Sequence, residues 1–497
     1  MLASIQEGGV SQASTGSPLT PAHTGAHPDD LALPAPDPLH TLLSRCSYGI
    51  RLADWNRALT IDYTGWLQEQ LAYTLLDDSA VEFAIANNFP RVAMSAGELL
   101  ADARANNSGQ KAAPELRNAT LYRQLASPRQ LFETMVEFWG DHFNIATLAS
   151  PESYYKNVDD RVVIRANALG KFPEMLHASA RSLAMLYYLD NVSNRSTGPN
   201  ENYARELMEL HTLGVDGGYT EHDVSEVARC FTGWTVATVG TEPVFTFVSS
   251  RHDNAAKTVL GTVIPSGGGV ADGNAVLDLL AAHPSTAAHL ARKLCIRFIG
   301  DVPQQSAIDA VAATYTATGG DIAAMMTTLL GSTEFIASYD RKIRRPLDYL
   351  LATLRCSDAV VSGNFLASIV TRLNSLGQLP FRWPTPDGYH DAMDAWVNAG
   401  AMLSRWNWAF AVAENKATGI ALDLSALAAG ANTPTLLVDT LANRLLHRML
   451  LAADRDSLVA FAANGGAVDR ILTTTEQPTR TRELAGLLLS SVYLQYR

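Results

Sequence analysis

The chain has 497 residues, 47% of them hydrophobic and 18% charged, and its 50 acidic against 38 basic side chains give a net charge of −12. This length and composition are typical of a folded globular protein with one large core or two to three ordinary domains. The acidic balance argues against nucleic-acid binding, because phosphate backbones require extended Lys/Arg surfaces and the basic cluster at 341–345 is short. No run of about 18 apolar residues is present, so no membrane-spanning segment is predicted.

The amino-terminal residues 1–38 are rich in Pro, Ser and Thr and lack periodic apolar positions. Such a segment buries too little surface to offset the entropy of ordering, which predicts a disordered tail. The first residues also lack the basic and apolar regions of a secretory signal peptide, so the sequence as written carries no recognisable export signal. Residues 39–497 are predicted to form a single large domain.

Helical periodicity dominates from Leu39 onward. Leu131, Met135 and Trp139, for example, recur at helical spacing and lie on one apolar face. The exception is the segment 234–262, where β-branched and aromatic runs alternate with Gly, Pro or polar breaks. The predicted fold class is therefore mainly α, one large multi-helix domain with a small antiparallel β insert. Similar Leu-rich strings also suggest a possible degenerate helical repeat at 285–338 and 438–497.

Charged side chains concentrate in residues 200–214, which together with residues 219–234 predict two short helices joined by a Gly-rich turn. Glu201, Arg205 and Glu209 form a ladder of alternating charge at four-residue spacing. A solvent-exposed helix face is enough to explain such a ladder. Two further side chains need another explanation, because Glu206 projects at the margin of the apolar face and His211 projects within it.

We interpret Glu206 as a candidate general acid or base, with Glu209 as a second carboxylate and Arg205, His211 and Asn202 as orienting groups. Burial would raise the pKa of a carboxyl group toward the range useful for proton transfer. On this hypothesis Glu206→Gln abolishes activity and leaves the fold intact. The structural alternative makes His211 a core residue with satisfied hydrogen bonds, and leaves Glu206 solvated or paired with an arginine.

Three separated histidines, His142, His211 and His252, are candidate metal ligands together with Asp or Glu from the same segments. No H-E-x-x-H, E-x-x-H or C-x-x-C motif supports them, so the metal site is a hypothesis about convergence in space. The four cysteines are widely spaced and are predicted to be buried free thiols.

Motifs for nucleotide chemistry are missing from the sequence. It contains no G-x-G-x-x-G at a strand–helix junction, no Walker A sequence and no G-x-S-x-G elbow. No nucleotide cofactor is therefore expected, and α/β-hydrolase chemistry is disfavoured.

The string Asn-Glu-Asn-Tyr-Ala-Arg-Glu-Leu at residues 200–207, followed by Phe-Thr-Gly-Trp at 231–234, is highly specific. With these strings the chain resembles the bacterial family known as domain of unknown function 1800, from about Leu42 to the carboxyl terminus. Further residues that carry the resemblance are Leu43, Ser44, Arg45, Tyr48, Gly49, Phe138, Trp139, His142, Phe143, Arg165, Leu169, Gly170, Ala184, Met185, Leu186, Leu189, Asp190, Asn191, Ala228, Arg229, His252, Asp253, Lys257, Leu260, Gly261, Trp396, Asn398 and Arg405.

The resemblance implies a cellular location and a partner but no reaction, since no reaction is established for the family. Its members are often encoded beside an exported sulfatase-like family, which implies a periplasmic or secreted location and a possible sulfatase-like partner. The sequence departs from this expectation where it lacks a signal peptide, and its segment 381–388 departs from the usual Gly-Trp arrangement. The candidate substrate-binding residues are Asn202, Asp190, Asn191, Arg165, Trp234 and Trp396.

These observations support three functional hypotheses. The first is an envelope-associated, hydrolase-like enzyme that acts on a polysaccharide or glycoconjugate by carboxylate acid/base chemistry. The alternative is a non-catalytic binding or assembly protein, favoured if Glu206 and His211 are both buried and fully satisfied, with no adjoining cleft. The second alternative is a metal-dependent enzyme, which requires His142, His211 and His252 to converge.

Overall fold

The computed structural model describes residues 33–106 and 109–497. These residues form 24 α-helices and three two-stranded antiparallel sheets, which confirms the predicted mainly α class with a small β insert. Most of the predicted tail, residues 1–32, lies outside the described part of the chain. All four cysteines are buried and free, as predicted.

The first half of the chain contains eleven of the described helices, which include the two predicted in residues 200–214 and 219–234, here called the central helix pair. In chain order they are α1 (Pro38–Cys46), α2 (Leu52–Leu71), α3 (Ser79–Asn88), α4 (Ala96–Asn106), α5 (Gly109–Ala126), α6 (Gln130–His142), α7 (Glu152–Asp159), α8 (Phe172–Ala180), α9 (Leu183–Tyr188), α10 (Asn202–Glu206) and α11 (Glu221–Cys230). Two π-helical segments, Asp160–Arg165 and Leu207–Thr212, directly extend α7 and α10.

Local sequence explains the boundaries of the central pair. The α11 helix begins with a capping box, in which the Thr220 hydroxyl accepts from the Asp223 amide at 3.2 Å and the Asp223 carboxylate accepts from the Thr220 amide at 2.9 Å. The preceding helix ends at Gly214, whose φ of +82° favours glycine. A Cβ at Gly214 would also lie 2.8 Å from Nδ1 of His289. A larger residue is therefore disfavoured both by the backbone conformation and by this contact.

The β insert consists of two hairpins that follow α11. β1 (Trp234–Val239) pairs with β2 (Glu242–Phe247), and β3 (Lys257–Val259) pairs with β4 (Thr262–Ile264). The insert therefore ends two residues beyond the predicted limit of residue 262.

The second half returns to helices. They are α12 (Val270–Ala281), α13 (Pro284–Phe298), α14 (Gln305–Thr318), α15 (Ile322–Leu330), α16 (Thr333–Ile336), α17 (Pro346–Cys356), α18 (Phe365–Ser375), α19 (Ala399–Ala413), α20 (Leu424–Leu427), α21 (Pro434–Leu446), α22 (Ala452–Ala463), α23 (Glu476–Ser490) and α24 (Val492–Gln495). A third small sheet pairs β5 (Val360–Val361) with β6 (Ile420–Ala421).

Two large apolar clusters form the interior. One is built from residues between Leu39 and Phe335, and the other from residues 347–494 together with Tyr48, Leu121 and Leu125. Buried ion pairs connect their helices, because Arg297 of α13 contacts Asp348 of α17 at 3.2 Å. Charged groups at such a junction are tolerated only when they are paired, and this junction is where the polar cavity discussed below is found.

The two segments of the predicted repeat each contain four helices. Residues 285–338 include most of α13 with α14 to α16, and residues 438–497 include most of α21 with α22 to α24. Each series ends in a four-residue helix that follows a serine, Ser332 or Ser491. A shared helix count does not establish a duplicated unit, so the repeat and the single-domain division both stay predictions.

Candidate functional site

A polar cavity of about 180 Å³ lies between the end of α6, the carboxyl-terminal half of α13 and the loop that precedes α19. Cavities that combine apolar walls with a few convergent titratable groups are the usual places for ligand binding and catalysis. Its lining residues are Phe138, Asp141, His142, Lys293, Ile296, Arg297, Arg345, Asp387, Tyr389, His390 and Asp391.

Two carboxylates in this cavity share one arginine. Nη1 of Arg345 lies 3.2 Å from Oδ2 of Asp141 and 3.5 Å from Oδ1 of Asp391. The side chains of Asp141 and Asp391 retain 22% and 19% exposure, so both reach the cavity, whereas Arg345 is buried. Two carboxyl groups fixed on one guanidinium are near neighbours in an arrangement suited to acid–base chemistry.

The same environment separates the pKa values of these carboxyl groups. Burial, opposed by Arg345 and assisted by the charges of Glu137 and Asp391, raises the pKa of Asp141 to about 7. Burial also disfavours the charge of Asp391, but Arg345, Arg297 and Lys342 outweigh it and lower the pKa of this group to about 2. Near neutral pH, Asp141 can therefore exchange a proton while Asp391 remains ionised.

A buried ion network holds Arg345 in place. Its Nη2 donates to Glu137 at 2.6 Å, and Glu137 also accepts from Arg297 at 2.9 Å. Asp348 lies 3.2 Å from Arg297 and 3.2 Å from Arg497. Burial disfavours the charge of Asp348, but Arg297, Arg497 and Arg345 together lower its pKa well below the usual value. Removing one member would leave buried charges uncompensated, so the network makes the cavity wall rigid.

Lys293 presents its amine to the cavity beside His142. Its Nζ lies 3.0 Å from Nδ1 of His142, whose Nε2 lies 3.1 Å from the carbonyl oxygen of His211. Because a carbonyl only accepts, the proton of the neutral imidazole is on Nε2, and Nδ1 is left to accept from Lys293. Burial lowers the pKa of Lys293, with partial compensation from Asp391, Asp141 and Asp387.

The predicted catalytic residue His211 lies behind this cavity wall. It is 1% exposed, its ring centroid lies 6.0 Å from that of His142, and its Nε2 has no hydrogen-bond partner in the described residues. It sits in the π-helical turn Leu207–Thr212, where Thr212 Oγ1 donates to the Leu207 carbonyl at 2.7 Å. π-Helical turns are frequent at functional sites, and this one displaces side chains from regular helical positions.

Glu206 does not line the cavity, but it approaches the loop that does. The carboxylate is half-buried and accepts no hydrogen bond within the described residues. Burial raises its pKa, the charge of Glu209 adds to the effect, and Asp387 of the cavity loop contributes in the same direction. The predicted acid/base residue is thus a perturbed carboxyl group at the edge of the site.

Arg205 and Glu209 belong to the surface ladder instead. Arg205 lies 3.6 Å from Glu201, 3.4 Å from Glu209 and 2.7 Å from Glu221 of the second helix. The backbone N–H of the exposed Asn202 donates to Oδ1 of Asn200 at 3.0 Å. These contacts join α10 to α11 and leave Arg205 and Asn202 outside the cavity lining.

Most predicted substrate-binding residues have structural contacts. Arg165 forms a two-point ion pair with the buried Glu133 at 2.9 and 2.6 Å. Asn191 is buried and donates to the carbonyl of Trp234 at 3.2 Å, and Trp234 itself is fully buried. Asp190 is exposed and turns the chain with a φ of +59°. None of these four residues lines the cavity described above.

Trp396 supports the cavity from behind. Its indole Nε1 donates to the carbonyl of His390 at 2.7 Å, and its ring lies 5.9 Å from that of Tyr389. The ring of Trp383 lies 5.2 Å from Tyr389 and 5.3 Å from His390. This aromatic group fixes the loop that carries Asp387 and Asp391, so the unusual segment 381–388 has a defined structural role.

His252 lies in a different group of residues. Its Nδ1 is 2.8 Å from the Thr232 carbonyl, and its Nε2 is 3.1 Å from Asp272, which also binds Lys257 at 2.6 Å. The histidine nearest to His142 besides His211 is instead His289, with ring centroids 6.3 Å apart. Within residues 33–106 and 109–497, no group of three or more His, Cys, Asp or Glu side chains has an arrangement that could hold a metal ion.

The sequence pointed to His142 and to the acidic residues of its segment, which include Asp141, but gave no role to the other cavity residues. Lys293 lies in an ordinary amphipathic pattern, and Asp391 lies in an irregular loop, so neither carries a local motif. A usable signal existed in the basic cluster at 341–345, since Pro346 at the first position of α17 marks Arg345 as a residue at a helix start. Lys342, Arg344 and Arg345 of this cluster are buried.

Comparisons with known proteins place the chain in a family without adding a reaction. No helix in the described residues is both long and apolar enough to cross a membrane. No curated protein and no solved structure gives a significant match. One family model matches residues 41–495, nearly the whole chain. The chain therefore belongs to the family described as "Protein of unknown function (DUF1800)".

Proposed function

We propose that this protein is a hydrolase that acts by carboxylate acid/base chemistry in the cavity, with Asp141 as the proton-transferring group and Asp391 as the ionised carboxylate. The observation that carries the proposal is their pairing on Arg345, which comes with pKa values of about 7 and about 2. Carboxyl groups whose environments push their pKa values apart can divide the roles of acid and base.

The chemistry follows from these two protonation states. Protonated Asp141 donates to the oxygen of the leaving group as the scissile bond breaks. Ionised Asp391 stabilises positive charge that develops on the substrate or orients the attacking water. Arg345 adds fixed positive charge beside the reacting centre, which favours developing negative charge on oxygen.

A polysaccharide or glycoconjugate is the substrate class that we propose. The cavity offers carboxylate and imidazole groups for sugar hydroxyls, and the half-buried Trp383 stands beside the exposed His390 on the same loop. Aromatic rings beside polar groups suit ligands that have both apolar and hydroxyl faces. The family resemblance supports an envelope setting and a sulfatase-like partner as further parts of this proposal.

The assembly hypothesis required Glu206 and His211 to be fully satisfied and without an adjoining cleft. In the described residues, His211 has a buried nitrogen with no partner and Glu206 accepts no hydrogen bond. The polar cavity is linked to each of them, because it is lined by His142, which contacts the His211 carbonyl, and by Asp387, whose charge helps to raise the pKa of Glu206. These observations favour the enzyme over a purely structural helix pair.

The test is an assay for new reducing ends on a panel of polysaccharides and glycoconjugates, with wild type, Asp141→Asn and Asp78→Asn. Asp78 is a matched control, because burial also raises its pKa, to about 6, and its partner Ser127 is not a cavity residue. We expect Asp141→Asn to reduce turnover by about a hundredfold or more, while Asp78→Asn remains active. Equal turnover of Asp141→Asn and wild type would overturn the assignment.

A further inference from the structure

The cavity contains an amine that the proposed hydrolysis does not use as a reactant. Lys293 is half-buried, whereas three lysines elsewhere in the described residues are fully buried. Each of these three has a carboxylate at 2.6 Å: Lys156 with Asp159, Lys257 with Asp272 and Lys342 with Asp301.

Lys293 differs from all three. Its hydrogen-bond partner is a neutral imidazole, Nδ1 of His142 at 3.0 Å, and no carboxylate lies within ion-pair distance of it in the described residues. The other charged groups that line the cavity are Asp141, Asp387, Asp391 and the guanidinium groups of Arg297 and Arg345, both of which are engaged by Glu137 and Asp348.

We infer that Lys293 is a nucleophilic amine that condenses with a small aldehyde or ketone bound in this cavity, giving an imine. The inference does not depend on the hydrolase proposal, because imine formation requires no hydrolytic step.

The cavity residues provide the nucleophile and the proton donor that imine formation requires. The amine nitrogen attacks the carbonyl carbon, the carbonyl electron pair moves to oxygen, and a proton from nitrogen completes a carbinolamine. Asp141 in its protonated form then donates to the hydroxyl group, which leaves as water while the nitrogen lone pair forms the C=N bond. Loss of the remaining N–H proton, to the Asp141 carboxylate, gives the neutral imine and restores the acid.

The lowered pKa of Lys293 agrees with this geometry, since a lysine is nucleophilic only when it is neutral. His142 positions the amine: its Nε2–H is fixed on the His211 carbonyl, so Nδ1 presents a lone pair and cannot repel the amine with a proton of its own. The burial of His142 lowers its pKa well below its usual value and keeps the ring neutral.

The experiment treats the full-length wild-type protein with propanal and sodium cyanoborohydride at pH 6.5, followed by peptide mapping of all lysines over time. Cyanoborohydride delivers hydride to the imine carbon, so each imine formed becomes a stable propylamine. Lys416 is the internal reference, because its side chain is 73% exposed and its ion pair with Glu414, at 2.6 Å, lies at the protein surface.

We expect Lys293 to be modified about tenfold faster than Lys416 or more, and the three ion-paired buried lysines to remain unmodified. The ratio should fall as the pH rises toward 9, because the neutral fraction of an ordinary lysine grows tenfold per pH unit. A Lys293 rate equal to or below that of Lys416 would overturn the inference. So would a ratio that does not change with pH, because access alone would then explain it.

Discussion

Arg345 and Asp141 are joined across the two halves of the chain: Nη1 of the arginine, at the start of α17, lies 3.2 Å from Oδ2 of the aspartate, at the end of α6. The contact is long for a charge-assisted hydrogen bond, and Arg345 divides its charge among Asp141, Glu137, Asp348 and Asp391. A shared guanidinium cannot fully offset the burial of Asp141, which explains why the pKa of this carboxyl group is raised.

The first prediction concerns the pH dependence of Asp141. Its pKa in the folded protein, about 7, is above the ordinary value of 3.8, so its ionisation costs stability as the pH rises between these values. Asp141→Asn removes that cost. We expect the melting temperature of the variant, relative to wild type, to increase from pH 4 to pH 7 and then level off. Thermal unfolding at several pH values measures this, and a constant difference would show that Asp141 ionises normally.

Activity should depend on the same carboxyl group, because the proposed role of Asp141 requires its protonated form. If Asp141 acts as an acid, kcat decreases as the pH rises through about 7. A pH–rate profile without a descending limb near neutrality would contradict this role.

The second prediction contrasts Asp391 with Asp141. Its pKa of about 2 is below the ordinary value, so its ionised form contributes stability above pH 3.8 that is lost as the pH falls toward 2. Asp391→Asn should therefore destabilise the protein at pH 7 by about 1 to 3 kcal/mol, because Arg297 and Arg345 lose a partner. Urea unfolding at pH 7 and pH 2.5 measures the effect, which should be smaller at the lower pH.

The fold could be predicted to the level of class and of the central elements. The capping box of Thr220 and Asp223 and the β-branched runs of the insert are local signals, and local signals are what a single sequence contains. The π-helical turn at Leu207–Thr212 was not predictable, because a projection at 100° per residue assumes a regular α-helix.

The site was predicted only in part for a related reason. Asp141 and His142 stand out beside apolar residues, but their functional partners are Lys293, Arg345 and Asp391, which come from distant parts of the chain. Contacts across such separations are determined by tertiary packing, and packing also fixes whether an arginine such as Arg165 binds substrate or a buried glutamate.

The third prediction compares Glu206 with Glu209. Burial raises the pKa of Glu206 and no described group donates to it, so Glu206→Gln should increase stability at pH 7, by less than about 1 kcal/mol, and this gain should shrink toward pH 4. Glu209→Gln loses the 3.4 Å contact with Arg205, but Arg205 keeps Glu221, so we expect a change within about 0.5 kcal/mol. Urea unfolding of both variants at pH 7 and pH 4 measures this.

These two variants also separate the hypotheses about the catalytic acid. With Asp141 as the acid, Glu206→Gln should lower kcat by less than about tenfold. Complete loss of turnover in Glu206→Gln, with Asp141→Asn still active, would restore Glu206 as the acid/base residue.

The fourth prediction concerns His211, whose ring is buried with one nitrogen that has no partner in the described residues. His211→Leu replaces this polar ring with an apolar side chain of related size, so we expect a neutral or stabilising effect of up to about 1 kcal/mol at pH 7. His211→Ala should instead destabilise the protein by about 2 to 4 kcal/mol, because it leaves a cavity next to Phe143 and His142. Both values come from urea unfolding.

The pH dependence of the His211 variants checks the cause. Burial, followed by the charges of Lys293 and His289, lowers the pKa of His211 to about 3, so the unfolded protein binds a proton below pH 6.5 that the folded protein does not. The advantage of His211→Leu over wild type should therefore increase as the pH falls from 6.5 to 4. Elemental analysis of wild type and His211→Ala is the control: stoichiometric metal in wild type that is lost in the variant would make His211 a ligand and would contradict its role as a neutral core residue.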